Sequence, residues 1–296
     1  MDHANQCSEA ERTVSYSDFF GLYALSLVGA ICFGLVLMEG NLSKYWRPVR
    51  SFLRRNYAYI ALIVSLPLMV QFISLAKVHS SDPGDVSESL SNAHILYDLG
   101  GGLIPSLQNH LDSDLLESCL GFVYMWVFAF FTYFLPILLI ARGDRRNFVI
   151  FALAVAINYA VLISFYITFP VAVSSNLLGT GIEPVLYSSS VWGRMATSVD
   201  SLTNCFPSGH VSLSFTAFFV FALAGQGYRR LSYVLLATAL SLGLAVLYLG
   251  IHYPADVVSG FVLAFYATAM ARSESVRASL GKTFRALLSR LMTGKA

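Results

Sequence analysis

The chain has 296 residues, of which 56% are hydrophobic and only 12% are charged, and its formal net charge is +2. A soluble domain carries about 25% charged residues, so this composition excludes an ordinary soluble enzyme and predicts an integral membrane protein. The net charge is too small to indicate a partner by itself, and the distribution of the charges along the chain is more informative.

Seven apolar runs are candidates for membrane-spanning helices, each of which needs about 20 mainly apolar residues. The first run is expected to remain as a span, because it follows an acidic leader and is long enough to cross the bilayer. The runs cover residues 19–39, 57–76, 119–141, 148–170, 210–226, 231–250 and 257–271, and the fifth and seventh are short. The sequence therefore predicts an all-α fold, a polytopic membrane helical bundle with about seven transmembrane helices.

The basic residues cluster after every second run. Sixteen of the nineteen Lys and Arg residues follow the first, third, fifth and seventh runs, which leaves Arg12, Lys77 and Arg194 for the other side. Because cytoplasmic loops carry an excess of Lys and Arg, the amino terminus is expected outside and the carboxyl terminus inside. A count of seven spans requires the same arrangement. We therefore expect an integral protein of the plasma membrane.

No internal repeat divides the chain, and residues 1–296 are predicted to form one membrane domain. The segment 78–118 begins with the turn-rich stretch "HSSDPGDVSESLSN" and continues into an apolar part too short to cross a bilayer. We expect an outer loop with an interfacial or re-entrant piece that covers a site on the outer face. Residues 272–296 predict a basic amphipathic helix on the inner leaflet, with a solvated basic tail as the alternative.

The stretch "CFPSGHVSLSF" places polar residues at the start of the fifth apolar run. Proline and serine are typical of a helix start, and Gly209 permits close approach of the backbone to a ligand. Free backbone N–H groups and the positive end of the helix dipole then point outward, which favours an anion. His210 stands beside them as a proton donor. The alternative is an ordinary capped helix start with an interfacial histidine.

A second stretch, "LYLGIHYPADVVSG", opens the seventh run on the same side and places His252 four residues before Asp256. A helix that begins near Pro254 brings the Asp256 carboxylate onto the imidazole. A carboxylate on one ring nitrogen holds the tautomer and raises the nucleophilicity of the other nitrogen. A structural His–Asp pair is the alternative, but two histidines at two outward helix starts favour a catalytic site.

The stretch "FPSGH", followed by "LYLGIHYPAD", resembles the second and third signature motifs of the type 2 phosphatidic acid phosphatase and vanadium haloperoxidase superfamily. The resemblance covers roughly residues 120–270 and implies a phosphatase-like core of six helices, to which this chain adds one. The tyrosine-rich "NYAVLISFYITFP" resembles the branch that includes inositol phosphorylceramide synthases and many prokaryotic relatives. Those synthases commonly carry leucine at the position of Gly209, so the glycine favours a phosphatase.

The resemblance implies a role for each matching residue. His252 would attack phosphorus to give a phosphohistidine, Asp256 would orient that ring and balance its charge, and His210 would protonate the leaving oxygen. Ser208 and the Gly209 N–H would bind the phosphoryl oxygens. No metal or other cofactor is implied.

Three phosphate-binding cations of the family motifs have no counterpart in place. The first motif, K-x6-R-P, is missing, and the Ser-Arg that usually opens the third motif is replaced by Ala245 and Val246. Phosphoryl transfer depends on charge stabilisation, so either another cation substitutes or the substrate differs. We nominate Arg194, the outer-side arginine near the motifs, as the substitute. An interfacial anchor beside Trp192 is the alternative.

The sequence therefore predicts a metal-independent lipid phosphatase that acts on a lipid phosphate or diphosphate at the outer face. A lipid phosphotransferase of the inositol phosphorylceramide synthase type is the first alternative, and a non-catalytic binding or transport protein is the second. Transport is less favoured, because no ionisable residue lies near the middle of the spans. The expected partners are the lipid substrate and the bilayer, with no nucleic acid.

Overall fold

The computed structural model describes residues 21, 24–32, 42–80, 83–189, 192–193, 195–196 and 201–293. The β-type pairing among these residues is one isolated parallel bridge, between Val171 and Asn204. The helices are α1 (24–32), α2 (Leu42–Ser80), α3 (Pro83–Asp98), α4 (Leu103–His110), α5 (Asp114–Ala141), α6 (Arg145–Thr168), α7 (Gly209–Ala222), α8 (Arg229–Tyr248), α9 (Pro254–Arg272) and α10 (Glu274–Thr293). The predicted all-α polytopic fold is confirmed.

Five helical stretches in the described part of the chain are long and apolar enough to cross a membrane. They are Val49–Ser74 within α2, all of α5, all of α6, Gln226–Tyr248 including α8, and all of α9. Helix α7 is apolar but has only 14 residues, as the short fifth run predicts. The run 19–39 lies partly outside the described residues, so the total of seven spans and the orientation of the termini remain predictions.

Helix α6 forms the centre of the bundle. Every residue from Asn147 to Ala156 is buried, so this stretch is covered on all its faces. A helix that is apolar all round is typical of such a central position. Helices α2, α7 and α9 pack directly against α6, and α7 also packs against α8 and α9. The starts of α7 and α9 are thereby held side by side.

Basic residues meet at one end of the bundle. The Arg142 guanidinium, after α5, lies 4.8 Å from the centre of the Tyr228 ring, before α8. Asp144, at the start of α6, accepts a hydrogen bond of 2.9 Å from the Tyr228 hydroxyl. Arg272, at the end of α9, donates to the carbonyl of Leu223, just after α7. The histidines of both sequence motifs lie at the opposite end, which we call the site end.

The turn-rich interpretation of "HSSDPGDVSESLSN" is wrong from Pro83 onward, where the chain forms α3. Proline is compatible with the first position of a helix, because that N–H has no partner within the helix. Ser89, Ala93 and Leu96 are buried along one face of α3. Packing of this face decides the helical conformation in spite of the local composition.

Helices α3 and α4 are fixed across the site end by side-chain hydrogen bonds to the backbone. The Gln108 amide donates to the carbonyls of Glu183 and Tyr248, both at 2.9 Å, and accepts from the Glu183 N–H at 2.9 Å. Asn92 donates to the Pro170 carbonyl at 2.8 Å. The segment 83–110 therefore covers the same end of the bundle that carries the two motifs.

Candidate active site

His252 lies in the five-residue link, residues 249–253, between α8 and α9. Gly250 has a φ of +74°, a left-handed conformation that glycine adopts without steric cost after the end of a helix. The N–H groups of Ile251 and His252 both donate to the Val246 carbonyl, at 3.1 and 2.9 Å. The chain thus reverses at Gly250 and holds His252 before Pro254, where α9 begins.

The contact expected between His252 and Asp256 is present. The Nδ1 atom of His252 lies 3.1 Å from Oδ2 of Asp256, and the two residues are only 3% and 0% exposed. The same Oδ2 accepts a hydrogen bond of 2.8 Å from the Tyr253 N–H, at the start of α9. A carboxylate that accepts from Nδ1–H leaves Nε2 of the neutral ring without a proton. Nε2 then carries the free lone pair of the ring.

The two sequence motifs are joined directly at the backbone. Ser208 caps α7, and its hydroxyl accepts from the Val211 N–H at 3.5 Å. The Ser208 N–H donates to the Asp256 carbonyl at 3.2 Å. Gly260 on α9 faces the same point, because a Cβ atom added to it would lie 2.8 Å from the Ser208 carbonyl oxygen. The start of α7 is therefore held against the first turns of α9.

We expect Gly260→Ala to destabilise the fold, because the added methyl group meets backbone atoms that cannot move without separating α7 from α9. The expected decrease in the free energy of unfolding is about 1–3 kcal/mol, as for other overpacked sites. Gly243→Ala in α8 is the matched control, since its Cβ atom would lie 3.9 Å from the nearest neighbour. Thermal unfolding in detergent gives the melting temperatures of both variants. Equal melting temperatures would contradict the close approach of α7 to α9 at Gly260.

His210 is held between two aromatic rings of α5. Its ring stacks on Tyr124 with centroids 4.2 Å apart and an interplanar angle of 29°. Its centroid lies 4.4 Å from that of Phe128. The Val123–Val127 turn of α5 is a π-helix, a variation that often occurs at functional sites.

Gly209 gives Tyr166 room to reach the start of α7. A Cβ atom added to Gly209 would lie 2.9 Å from the Tyr166 hydroxyl oxygen. That hydroxyl donates to the Pro207 carbonyl at 3.5 Å. The tyrosine-rich end of α6 therefore supports the helix start that carries His210.

Two buried polar atoms next to His252 have no hydrogen-bond partner among the described residues. They are the Tyr253 hydroxyl and Oδ1 of Asp256. Burial raises the pKa of the Tyr253 hydroxyl, so this group stays neutral and keeps its proton. Buried polar atoms without a partner are uncommon in folded proteins. These two atoms therefore leave unused hydrogen-bonding capacity in the residues that follow His252.

The structure brings five of the six predicted site residues together at the site end: Ser208, Gly209, His210, His252 and Asp256. Arg194 lies outside the described residues. Its neighbour Trp192 packs against Gly121, where an added Cβ atom would lie 2.4 Å from the indole ring. Sequence reasoning missed Tyr124 and Phe128, because no motif connects α5 with the two histidine stretches, and it used the stretch that contains Tyr166 only for the resemblance.

The fold and the site define a helical membrane protein with a buried His–Asp pair at one helix start and a second histidine at another. The family model of the PAP2 superfamily matches residues 179–274, a range that includes both histidines and Asp256. The match agrees with the resemblance of the motifs and supports membership of the PAP2 superfamily.

Members of the PAP2 superfamily are phosphoesterases. The match therefore supports a phosphatase-type or phosphotransferase-type activity on lipid phosphates. No curated protein and no solved structure gives a significant match to the chain.

Proposed function

We propose that this protein is a metal-independent lipid phosphatase that hydrolyses a lipid phosphate or diphosphate through a phosphohistidine intermediate. The observation that carries the proposal is the 3.1 Å contact between His252 Nδ1 and Asp256 Oδ2 at the start of α9. This contact supports Nε2 as the attacking atom, and the backbone hydrogen bond from Ser208 to Asp256 connects the start of α7 with the start of α9.

The reaction has two steps. Nε2 of His252 attacks phosphorus, the bond to the leaving oxygen breaks, and His210 donates a proton to that oxygen. Water then attacks the phosphohistidine, gives a proton to His210 and releases phosphate, which restores both histidines. Asp256 stabilises the positive charge on the phosphorylated ring.

The start of α7 supplies the anion-binding groups. Free N–H groups in the first turn of a helix and the positive end of its dipole favour a phosphoryl group. We assign the Gly209 N–H and the Ser208 hydroxyl to the phosphoryl oxygens. The long 3.5 Å contact of that hydroxyl with Val211 is weak enough to be exchanged for a phosphoryl oxygen.

We assign the missing positive charge to Arg194. Arg194→Ala is expected to lower kcat/KM for the phosphate substrate by about 10- to 100-fold, because a charge-assisted contact to phosphate is lost. Arg12→Ala, which removes another arginine predicted on the outer side and nearly 200 residues before the first motif in the sequence, is the control and should leave the kinetics unchanged. Unchanged kinetics in both variants would require another cation.

The reaction takes place on the outer face of the plasma membrane in this proposal. The basic residues at the end of the bundle opposite the histidines support this orientation, because the positive-inside rule places them in the cytoplasm. Intact cells that express the protein should release phosphate from an added impermeant lysophosphatidate. Release only after the cells are permeabilised would reverse the orientation.

The experiment that tests the function measures phosphate release by purified protein from a panel of lipid phosphates and diphosphates in detergent. The assay contains EDTA, because a reaction that needed added magnesium would contradict the metal-independent mechanism. A second series adds diacylglycerol or ceramide as an acceptor. Headgroup transfer without free phosphate would establish the phosphotransferase, and inactivity on every substrate would favour a non-catalytic binding protein.

A further inference from the structure

A cavity lies inside the bundle between α2, α5, α6, α7 and α8. Its empty volume, including the space at its mouth, is about 570 Å³. Its walls include Phe128, Phe131, Leu135, Leu213, Ala217 and Leu235. The cavity is thus lined mainly by apolar side chains, and its position decides which part of a ligand it can bind.

The cavity begins directly beside His210. Phe128 lines the cavity and also contacts the His210 ring, with centroids 4.4 Å apart. Leu213 and Ala217 follow His210 by three and seven residues, so all three lie on one face of α7. At 1.5 Å per residue, this face leads about 10 Å from His210 toward the middle of the bundle. Phe128 is therefore a wall that the cavity shares with the His210 side of the proposed site.

The walls suit a hydrocarbon. Two of the polar residues in the lining, Thr132 and Thr238, donate their hydroxyls to the carbonyls of Phe128 and Val234 within their own helices, at 2.9 and 3.0 Å. These hydroxyls therefore need no ligand. Apolar cavities stay dry and bind apolar ligands.

We propose that this cavity binds one hydrocarbon chain of the lipid phosphate substrate while the phosphate lies at His252. The proposal rests on the proposed function and adds the substrate class: a phosphate whose chain enters the bundle beside His210 instead of remaining in the surrounding lipid. Ala217, one of the deeper lining residues on the α7 face, then limits the length of chain that the cavity accepts.

The test compares a short and a long substrate, butyl phosphate and dodecyl phosphate, in variants that fill the cavity. Ala217→Leu fills it from α7, and Thr238→Leu fills it from α8 in case the first variant folds poorly. Ala222→Leu, an exposed position at the end of α7, is the matched control. Each buried methylene contributes about fourfold to kcat/KM. Filling the cavity should therefore lower kcat/KM for dodecyl phosphate by about tenfold or more.

The proposal would be supported if both filling variants lose kcat/KM with dodecyl phosphate. Their kcat/KM with butyl phosphate, and that of the Ala222→Leu control with both substrates, should stay within about twofold of wild type. Unchanged kinetics with dodecyl phosphate would overturn it, because the chain would then lie outside the bundle. Equal loss on both substrates would also overturn it, since the cavity would then serve only the packing of the fold.

A binding measurement separates this proposal from the proposed function. Dodecyl phosphate with a terminal diazirine is photolysed on the full-length protein, and the adducts are located by mass spectrometry. Adducts at cavity residues in wild type that are lost in Ala217→Leu would support the chain site even without hydrolysis. Adducts only at residues that face the lipid, such as Phe265, would overturn the proposal. Suppression of the cavity labelling by excess phosphatidylcholine would also overturn it, because ordinary lipid would then fill the cavity.

Discussion

His252→Asn is expected to lower kcat for phosphate release by about a thousandfold or more, because the substitution removes the nucleophile and not only a binding contact. The asparagine amide can still donate a hydrogen bond to the buried Asp256 carboxylate. The carboxylate therefore keeps a partner, and the loss of stability is limited. The measurement combines steady-state kinetics with trapping of an acid-labile phosphoenzyme from labelled substrate. Neither turnover nor phosphoenzyme should remain.

His94→Asn is the matched control for this prediction. His94 is an exposed histidine on α3, so the same chemical change away from the buried pair should leave kcat within about twofold of wild type. Substantial turnover in His252→Asn, with the melting temperature preserved, would remove His252 as the nucleophile. The search for the attacking group would then turn to His210.

Asp256→Asn should lower kcat by about a thousandfold with a smaller change in KM, because the neutral amide no longer balances the positive charge on the phosphorylated His252 ring. The asparagine oxygen can take the place of Oδ2 and accept from both the Tyr253 N–H and the Nδ1–H of His252. The substitution therefore removes the charge and keeps both hydrogen bonds. Kinetics and phosphoenzyme trapping measure the effect, and the fold should be largely retained.

Asp144→Asn separates this chemical effect from a structural one. Asp144 also caps a helix, since it accepts from the Asn147 N–H at 3.1 Å and from the Tyr228 hydroxyl, but it lies at the opposite end of the bundle. The control should lose stability without losing kcat. A similar fall in kcat for both variants would show that Asp256 acts only through the stability of the fold.

The sequence determined the class of fold and the pairing of His252 with Asp256. Membrane helices can be predicted from composition, because about 20 apolar residues in a row have few other stable environments. The His–Asp contact is local, since four residues separate the two side chains and Pro254 marks the helix start. The resemblance to the PAP2 superfamily could be predicted for the same reason, because each motif is a short, continuous stretch.

Only the tertiary structure decided what surrounds these residues. The aromatic rings on His210 come from α5, more than eighty residues earlier in the chain, and the hydroxyl above Gly209 comes from α6. The segment from Pro83 is helical because a buried face outweighs its turn-forming composition. Contacts between distant parts of a chain depend on how whole helices pack, and neither spacing nor local propensity encodes that packing.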